Sequence, residues 1–295
     1  MKTRNVLTLV ACLLLALALV PANAEGITLT DMVGATIELD APATRVIGLT
    51  PADCEILYAI GAGDTLVGRG DYCDYPAEIF DIPSVGSTYG LNIEAVIALD
   101  PDVVLTTTMY DPAVIDALAE AGVKIVQFET SDIESVYTAI ELIGVVVDHN
   151  DEAAALIASM RDSFAAIAAQ AVDTEATVYF EVSPLEWGLW TAGQDTFMDE
   201  IANLLGLKNC FADVNGWAAI SEEQVLERNP DYIVTITMYY GEGPTPVEEL
   251  LGRAGWENVT AIQNAAILNL QNDELSRPSP RLVEGAEALL AFITK

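Results

Sequence analysis

Basic residues are scarce in this chain. Lys and Arg number 12 against 45 Asp and Glu, for a formal net charge of −33, and there is a single His. Neutralising nucleic-acid phosphates takes clustered Lys and Arg, so a nucleic-acid partner is excluded. One His excludes sites built from two or more, the HExxH zinc pattern among them. The sequence has no GxxxxGK followed by Ser or Thr, the loop that cradles nucleotide phosphates, and no GxSxG nucleophile elbow. Long apolar runs are missing as well, apart from Val6 to Val20.

That run follows Lys2 and Arg4 and precedes Ala22-Asn23-Ala24. A charged start, an apolar middle and an A-x-A site make residues 1–24 an export signal peptide, cleaved after Ala24. The run is short of the roughly 20 residues of a membrane span. Leu9-Val10-Ala11-Cys12 offers a second reading, lipid anchoring at Cys12, which leaves Leu13 to Val20 bare on the mature chain. Either way the protein is exported, to a periplasm or the extracytoplasmic cell surface. Beyond Ala24 the cysteines are Cys54, Cys73 and Cys210, an odd count that leaves at least one thiol over. Cys54 and Cys73 either pair as a disulfide or sit as small buried hydrophobes.

After a hairpin of Ile27–Thr30 and Thr36–Leu39 around Gly34, short apolar strands alternate with helices. Strands are expected at 45–49, 66–68, 103–107 and 124–128, with helices at 52–60, 93–99 and 112–120. The alternation implies a parallel sheet covered by helices on both faces. Ser131-Asp132-Ile133-Glu134 reads as a capping box opening a long Ala-rich helix to about residue 171, kinked near Gly144 to Asn150. Alternation then resumes, with strands at 177–182, 232–237 and 266–270 and helices at 197–205, 222–227 and 246–251. Ser279-Pro280 is expected to cap a last helix to Ile293.

An internal repeat organises this pattern. Glu94 to Thr108 (EAVIALDPDVVLTTT) aligns without a gap with Glu223 to Thr237 (EQVLERNPDYIVTIT), at a constant offset of 129 residues. Each copy is a helix, a Pro-Asp turn and a buried strand. One α/β unit on each side of a long helix implies two similar α/β lobes joined by a single long interdomain helix, with the ligand cleft between them. The boundaries are 1–24 for the signal peptide, 25–130 for the N-terminal lobe, 131–172 for the linking helix and 173–295 for the C-terminal lobe. Tyr72, Tyr75, Tyr89, Trp187, Trp190 and Trp217 all fall in expected loops, and six aromatics there suit a large, flat, partly apolar ligand.

In Leu49-Thr50-Pro51-Ala52-Asp53-Cys54-Glu55, Gly70-Asp71-Tyr72-Cys73-Asp74-Tyr75-Pro76, Asn92-Ile93-Glu94 with Pro101-Asp102, Ser221 to Leu226 and Ser276-Arg277-Pro278-Ser279-Pro280-Arg281, the chain resembles the periplasmic substrate-binding proteins of ABC importers for vitamin B12 and iron–siderophores. It is most similar to the vitamin B12 branch. The resemblance implies two lobes on a rigid interdomain helix, no catalysis and no cofactor, with cobalamin or another corrinoid as the transported ligand. It implies a first-lobe wall of Pro51, Ala52, Tyr72 and Tyr89, and a second-lobe wall of Trp187 or Trp190, Trp217, Asp273 and Arg277. No protein ligand to the metal is implied. Tyr89 stands where B12 binders often carry Trp. Glu94 and Glu223 match the family's docking glutamates, one per lobe, which pair with arginines of the permease dimer. They are also the first residues of the repeat. The binding protein itself is expected to be a monomer.

Siderophore or haem binding is the alternative within the class. Anionic siderophores want cations, and Arg45, Arg69, Arg277 and Arg281 are the few at hand; haem wants a Tyr or His ligand, such as Tyr72 or Tyr89, with His149 expected to be a solvent-facing bystander in the linking helix. A secreted hydrolase is the remote alternative, with Asp53, Glu55, Asp71 and Asp74 as candidate acid–base groups.

Overall fold

The computed structural model describes residues 26–172, 175–270 and 274–295. The expected signal peptide with Cys12, and Asp273, lie outside the described residues. The chain opens with the antiparallel hairpin β1 (Ile27–Thr30) and β2 (Thr36–Leu39). Buried Asp31 anchors it, accepting from Val33 N and Ala35 N in the turn and from Gln127 N of the first lobe.

The first lobe holds β3 (Val46–Gly48), α1 (Pro51–Ala59), β4 (Leu66–Arg69), α2 (Ile93–Ala98), β5 (Val103–Thr107), α3 (Pro112–Glu120) and β6 (Ile125–Phe128). Its sheet is wholly parallel, in the order β4-β3-β5-β6. Central β5 is buried at four consecutive residues, which is why Val103-Val104-Leu105 reads as a continuous apolar run. Each such side chain contributes about 1.5–3 kcal/mol of burial.

The linking segment is a helical hairpin rather than one rod. Helix α4 (Ile133–Val147) ends at Asp148, whose φ of 59° is left-handed, and α5 (Asn150–Ala168) doubles back. The arms are clamped by Arg161, which pairs with Glu134 at 2.7 Å and stacks 4.4 Å from the Tyr137 ring. The N-cap of α4 is Asp132, boxed with Ser135, not Ser131. His149 sits at the bend with Nδ1 2.9 Å from the Ile60 carbonyl oxygen, so it fastens the hairpin to the end of α1 and is no bystander. Helix α4 packs on α1 and β1, while α5 packs on two helices of the second lobe. At 19 residues, about 28 Å, α5 alone makes the connection.

The second lobe comprises β7 (Thr177–Ser183), β8 (Trp190–Ala192), α6 (Phe197–Leu204), β9 (Lys208–Asn209), β10 (Trp217–Ala219), α7 (Glu222–Arg228), β11 (Tyr232–Thr235), α8 (Pro246–Gly252), α9 (Thr260–Gln263), β12 (Ile267–Asn269) and α10 (Leu282–Ile293). Its sheet runs β10-β8-β7-β11-β12, with β9 also on β7. The strands β7, β11 and β12 are parallel, and β8 and β10 extend the sheet antiparallel. Helix α10 starts at Leu282 with Arg281, not Ser279, at its N-cap and no side-chain cap bond; Ser279 Oγ accepts from Arg281 N at 3.2 Å and donates to Glu55.

The repeat has a structural reason. Asn92 and Ser221 cap α2 and α7 through their side chains. Val96 and Val225, at the 129-residue offset, are both fully buried. The helices end at Asp100 and Asn229, with φ of 46° and 47°, polar side chains that tolerate the left-handed region. The Pro-Asp aspartates then clamp the start of the neighbouring strand. Asp102 accepts from Thr44 N and Arg45 N at 2.8 and 2.9 Å; Asp231 accepts from Thr177 N and Thr177 Oγ1 at 2.8 and 3.1 Å. Each motif therefore sets the register of a helix–strand unit in its own lobe.

Candidate functional site

The loops that leave the C-terminal ends of the parallel strands in the two lobes meet. Arg277, reached after β12, pairs with Glu55 of α1 at 2.9 Å and with Asp74, in the loop after β4, at 2.6 Å. Ser279 Oγ donates to the other Glu55 oxygen at 2.6 Å. On another side, Phe197 N donates to Ser131 O at 2.7 Å and Ile133 N to Glu200 Oε2 at 2.8 Å. The sheets thus face each other across a cross-tied cleft, the place where open α/β sheets bind ligands.

The first-lobe wall begins where β3 runs into α1. Thr50 caps this helix and Asp53 returns the bond to Thr50 N. Burial pushes the Asp53 carboxyl up to about 7, against the two Thr50 bonds. Pro51 is half-buried and Ala52 buried, so of the pair Pro51 is the one at the surface. The tyrosine loop follows β4. Gly70 is required there, since a Cβ would meet the Leu49 carbonyl oxygen at 2.2 Å. Arg69 pins the loop from beneath, donating to the carbonyls of Gly70, Cys73 and Ile82. This leaves Tyr72 and Tyr75 exposed, with Arg281 stacked 4.3 Å from the Tyr75 ring. Tyr89, on a turn closed by Gly90 N to Ser87 O, is 90% exposed.

Cys54 and Cys73 lie beneath this wall, both buried and both free thiols, Sγ to Sγ 3.4 Å. The pairing their spacing allowed is not made in the structure. The Cys54 pKa is raised well above its ordinary value, by the bond to Cys73 first and then by burial, which holds it as a thiol.

In the second lobe Trp190 and Trp217 are not in loops. They open β8 and β10, whose register sets Trp217 opposite Ala192 and Trp190 opposite Ala219. Both are exposed, and the Trp217 ring leans on buried Phe197 at 5.3 Å. Trp187 closes a short turn after β7 and is 75% exposed. Soluble proteins rarely leave so many large aromatics uncovered unless something docks on them.

Arg277 is not on the rim. It is 7% exposed and engaged by Glu55 and Asp74. Burial opposes its charge, but the two carboxylates outweigh that and hold its pKa above the ordinary value. Among the described residues every other arginine also has a partner within the protein. Arg45 bonds the carbonyls that end α2, Arg69 the tyrosine loop, and Arg161 Glu134. Arg228 bonds Asp213, Arg253 Glu181 and Glu249, and Arg281 Glu274. Lys208 pairs with Glu175, and Lys124 lies at the opposite end of its strand from the cleft. The aromatic rim therefore carries no uncommitted described arginine to offer an anion. The four acidic candidates for catalysis are committed as well: Asp53 to the helix cap, Asp71 to Ser84, and Glu55 and Asp74 to Arg277.

Glu94 and Glu223 are exposed in the first turns of α2 and α7. Hydrogen bonding from Ser221 holds the Glu223 carboxyl below its ordinary range. Its neighbour Glu222 instead accepts from Trp256 Nε1 at 2.9 Å.

The sequence model described as Periplasmic binding protein matches residues 46–274. An uncharacterised ABC transporter substrate-binding lipoprotein of Bacillus subtilis is 33% identical over 275 residues, 90% of this chain and 85% of the relative. A cobalamin-binding protein of Halobacterium salinarum is 29% identical over 267 residues, 88% of this chain and 71% of the relative. Among solved structures, a possible iron-binding solute-binding protein of Staphylococcus epidermidis superposes with a TM-score of 0.73 at 30% identity, covering 86% of this chain and 99% of that one. The periplasmic vitamin B12-binding protein of Vibrio cholerae superposes with a TM-score of 0.70 at 26% identity, covering 86% and 97%.

Proposed function

The chain belongs to the periplasmic binding protein family, and on that premise we propose that it captures cobalamin or a related corrinoid in the interlobe cleft and delivers it to an ABC importer. The family binds small ligands outside the cytoplasm for such transporters; it is not a family of enzymes. The observation that carries the corrinoid reading is the pairing of an exposed aromatic rim with a cleft whose described arginines are all spent on the protein itself. A corrinoid offers a broad ring for aromatic contact and neutral amides around it. Haem carboxylates and anionic ferric catecholates would be left without a cationic partner in a strongly acidic protein. Ligand contact is assigned to Pro51, Tyr72, Tyr89, Trp187, Trp190 and Trp217. The names of the Halobacterium and Vibrio proteins support the same choice. A neutral ferric siderophore is the second reading, since the spent arginines do not weigh against it and the Staphylococcus protein is described as a possible iron binder.

Docking is assigned to Glu94 and Glu223, carboxylates of the two repeat copies that suit a two-fold permease dimer. The binding protein acts as a monomer, exported by a signal peptide cleaved after Ala24, with 25–130 and 173–295 as its lobes and 131–172 as the link. The test is to mix purified residues 25–295 with cyanocobalamin and pass them through a desalting column. Red protein at one cobalt per chain supports the proposal. Colourless protein overturns it, and ferric hydroxamates would then be run on the same column.

A further inference from the structure

The internal repeat extends beyond its strands. Thr106 to Tyr110 stands at the register of Thr235 to Tyr239, so Met109-Tyr110 in one lobe matches Met238-Tyr239 in the other. Each pair comes off the C-terminal end of an inner parallel strand, β5 between β3 and β6, and β11 between β7 and β12. Those ends face the cleft. Both residues are exposed, Met109 by 80% and Met238 by 40%, whereas Met160 and Met198 are 3% and 0% exposed.

Both turns are held in place from behind. Buried Tyr110 donates its hydroxyl to Leu49 O at 3.1 Å, which seats the Met109 turn beside the segment leading into Pro51. Met109 N donates to Thr107 Oγ1 at 3.3 Å. In the second lobe, Asn269 Nδ2 donates to Thr237 O at 2.9 Å, and the Tyr240 hydroxyl lies 3.4 Å from Met238 Sδ. A single exposed methionine on a loop needs no explanation. Two at one repeat register, each on an anchored turn at the mouth of the same cleft, call for one. Thioethers are polarisable and adaptable and favour contact with flat conjugated systems.

We propose that Met109 and Met238 are a paired contact, one from each lobe, for the conjugated ring of the bound macrocycle. The inference rests on the corrinoid reading above and adds two residues that the aromatic pattern alone does not mark. It is tested by hydrogen peroxide footprinting of the full mature chain, read by peptide mass spectrometry. Peroxide transfers one oxygen to the sulfur and leaves as water, so each methionine reports its own accessibility. Saturating cyanocobalamin is expected to slow oxidation of both Met109 and Met238 at least about fivefold relative to the ligand-free protein. The Met109→Ala/Met238→Ala double variant is expected to bind cobalamin about tenfold more weakly at unchanged melting temperature. If the wild-type protein binds cobalamin while either methionine oxidises at its ligand-free rate, the paired contact is wrong and the corrinoid reading stands. If the wild-type protein binds no cobalamin, both fall together.

Discussion

Replacing Arg277 with methionine removes the cation at the centre of the interlobe tie while keeping an apolar stem of similar length. Glu55, 3% exposed, would be left with the Ser279 hydroxyl and Arg281 at 3.7 Å. Removing one partner of a buried ion pair costs about 3–5 kcal/mol, because the other charge stays uncompensated. The Asp74 arm adds little, since that carboxylate is 39% exposed and screened. A loss of about 3 kcal/mol is therefore expected, or roughly 6–12 °C in melting temperature for a protein of this size. The pH dependence fixes the cause. Burial raises the Glu55 pKa, against the bonds from Ser279 and Arg277. A carboxyl raised on folding favours the native state most below its unfolded pKa, and that advantage is lost as pH rises through the folded pKa. Losing Arg277 raises the Glu55 pKa further, so the deficit of the variant should be small near about pH 4 and full by about pH 8. Urea unfolding followed by circular dichroism measures it, with Glu55→Gln/Arg277→Met as the closing corner of a double-mutant cycle. A deficit below about 0.5 kcal/mol at pH 8, or a double variant no more stable than the single, would show that Arg277 does not compensate Glu55.

Two further outcomes follow from the same geometry. Glu94→Ala and Glu223→Ala should each cut ATP-driven uptake by reconstituted importer at least about tenfold while leaving ligand affinity unchanged, and reduced affinity would assign them to the fold instead. Asp53→Asn should gain stability relative to wild type as pH rises from about 4 to about 7 and no further above it. That window follows from the buried Asp53 carboxyl at about 7, whose charging the folded state resists. A difference independent of pH would show that Asp53 is charged throughout.

Much of the fold was legible because its signals are local. Strand β5 and helix α3 lie at the residues their apolar run and Asp-Pro start predict. The Pro-Asp turns revealed the duplicated unit. What was not legible depends on contacts far apart in sequence. Arg277 looks like a ligand-facing cation beside Pro278, yet its partner Glu55 is 222 residues away. The Ala-rich link reads as one kinked rod because nothing local says that Arg161 will fold back onto Glu134. Trp190 and Trp217 read as loop residues because their strands are three residues long and find each other only in the folded sheet. The aromatic side of the site was thus visible as residues but not as an antiparallel wall. Met109 and Met238 could have been found by running the repeat one residue further.

On the corrinoid reading, the cleft takes a broad, neutral macrocycle through aromatic contact. Tryptophan fluorescence titration of the mature protein with cyanocobalamin, alone and against excess ferric catecholate, haem or ferric hydroxamate, tests it most directly. Quenching is expected to saturate at one equivalent of cobalamin and not to be reversed by any of the iron complexes. Saturation by an iron complex that excludes cobalamin would contradict it.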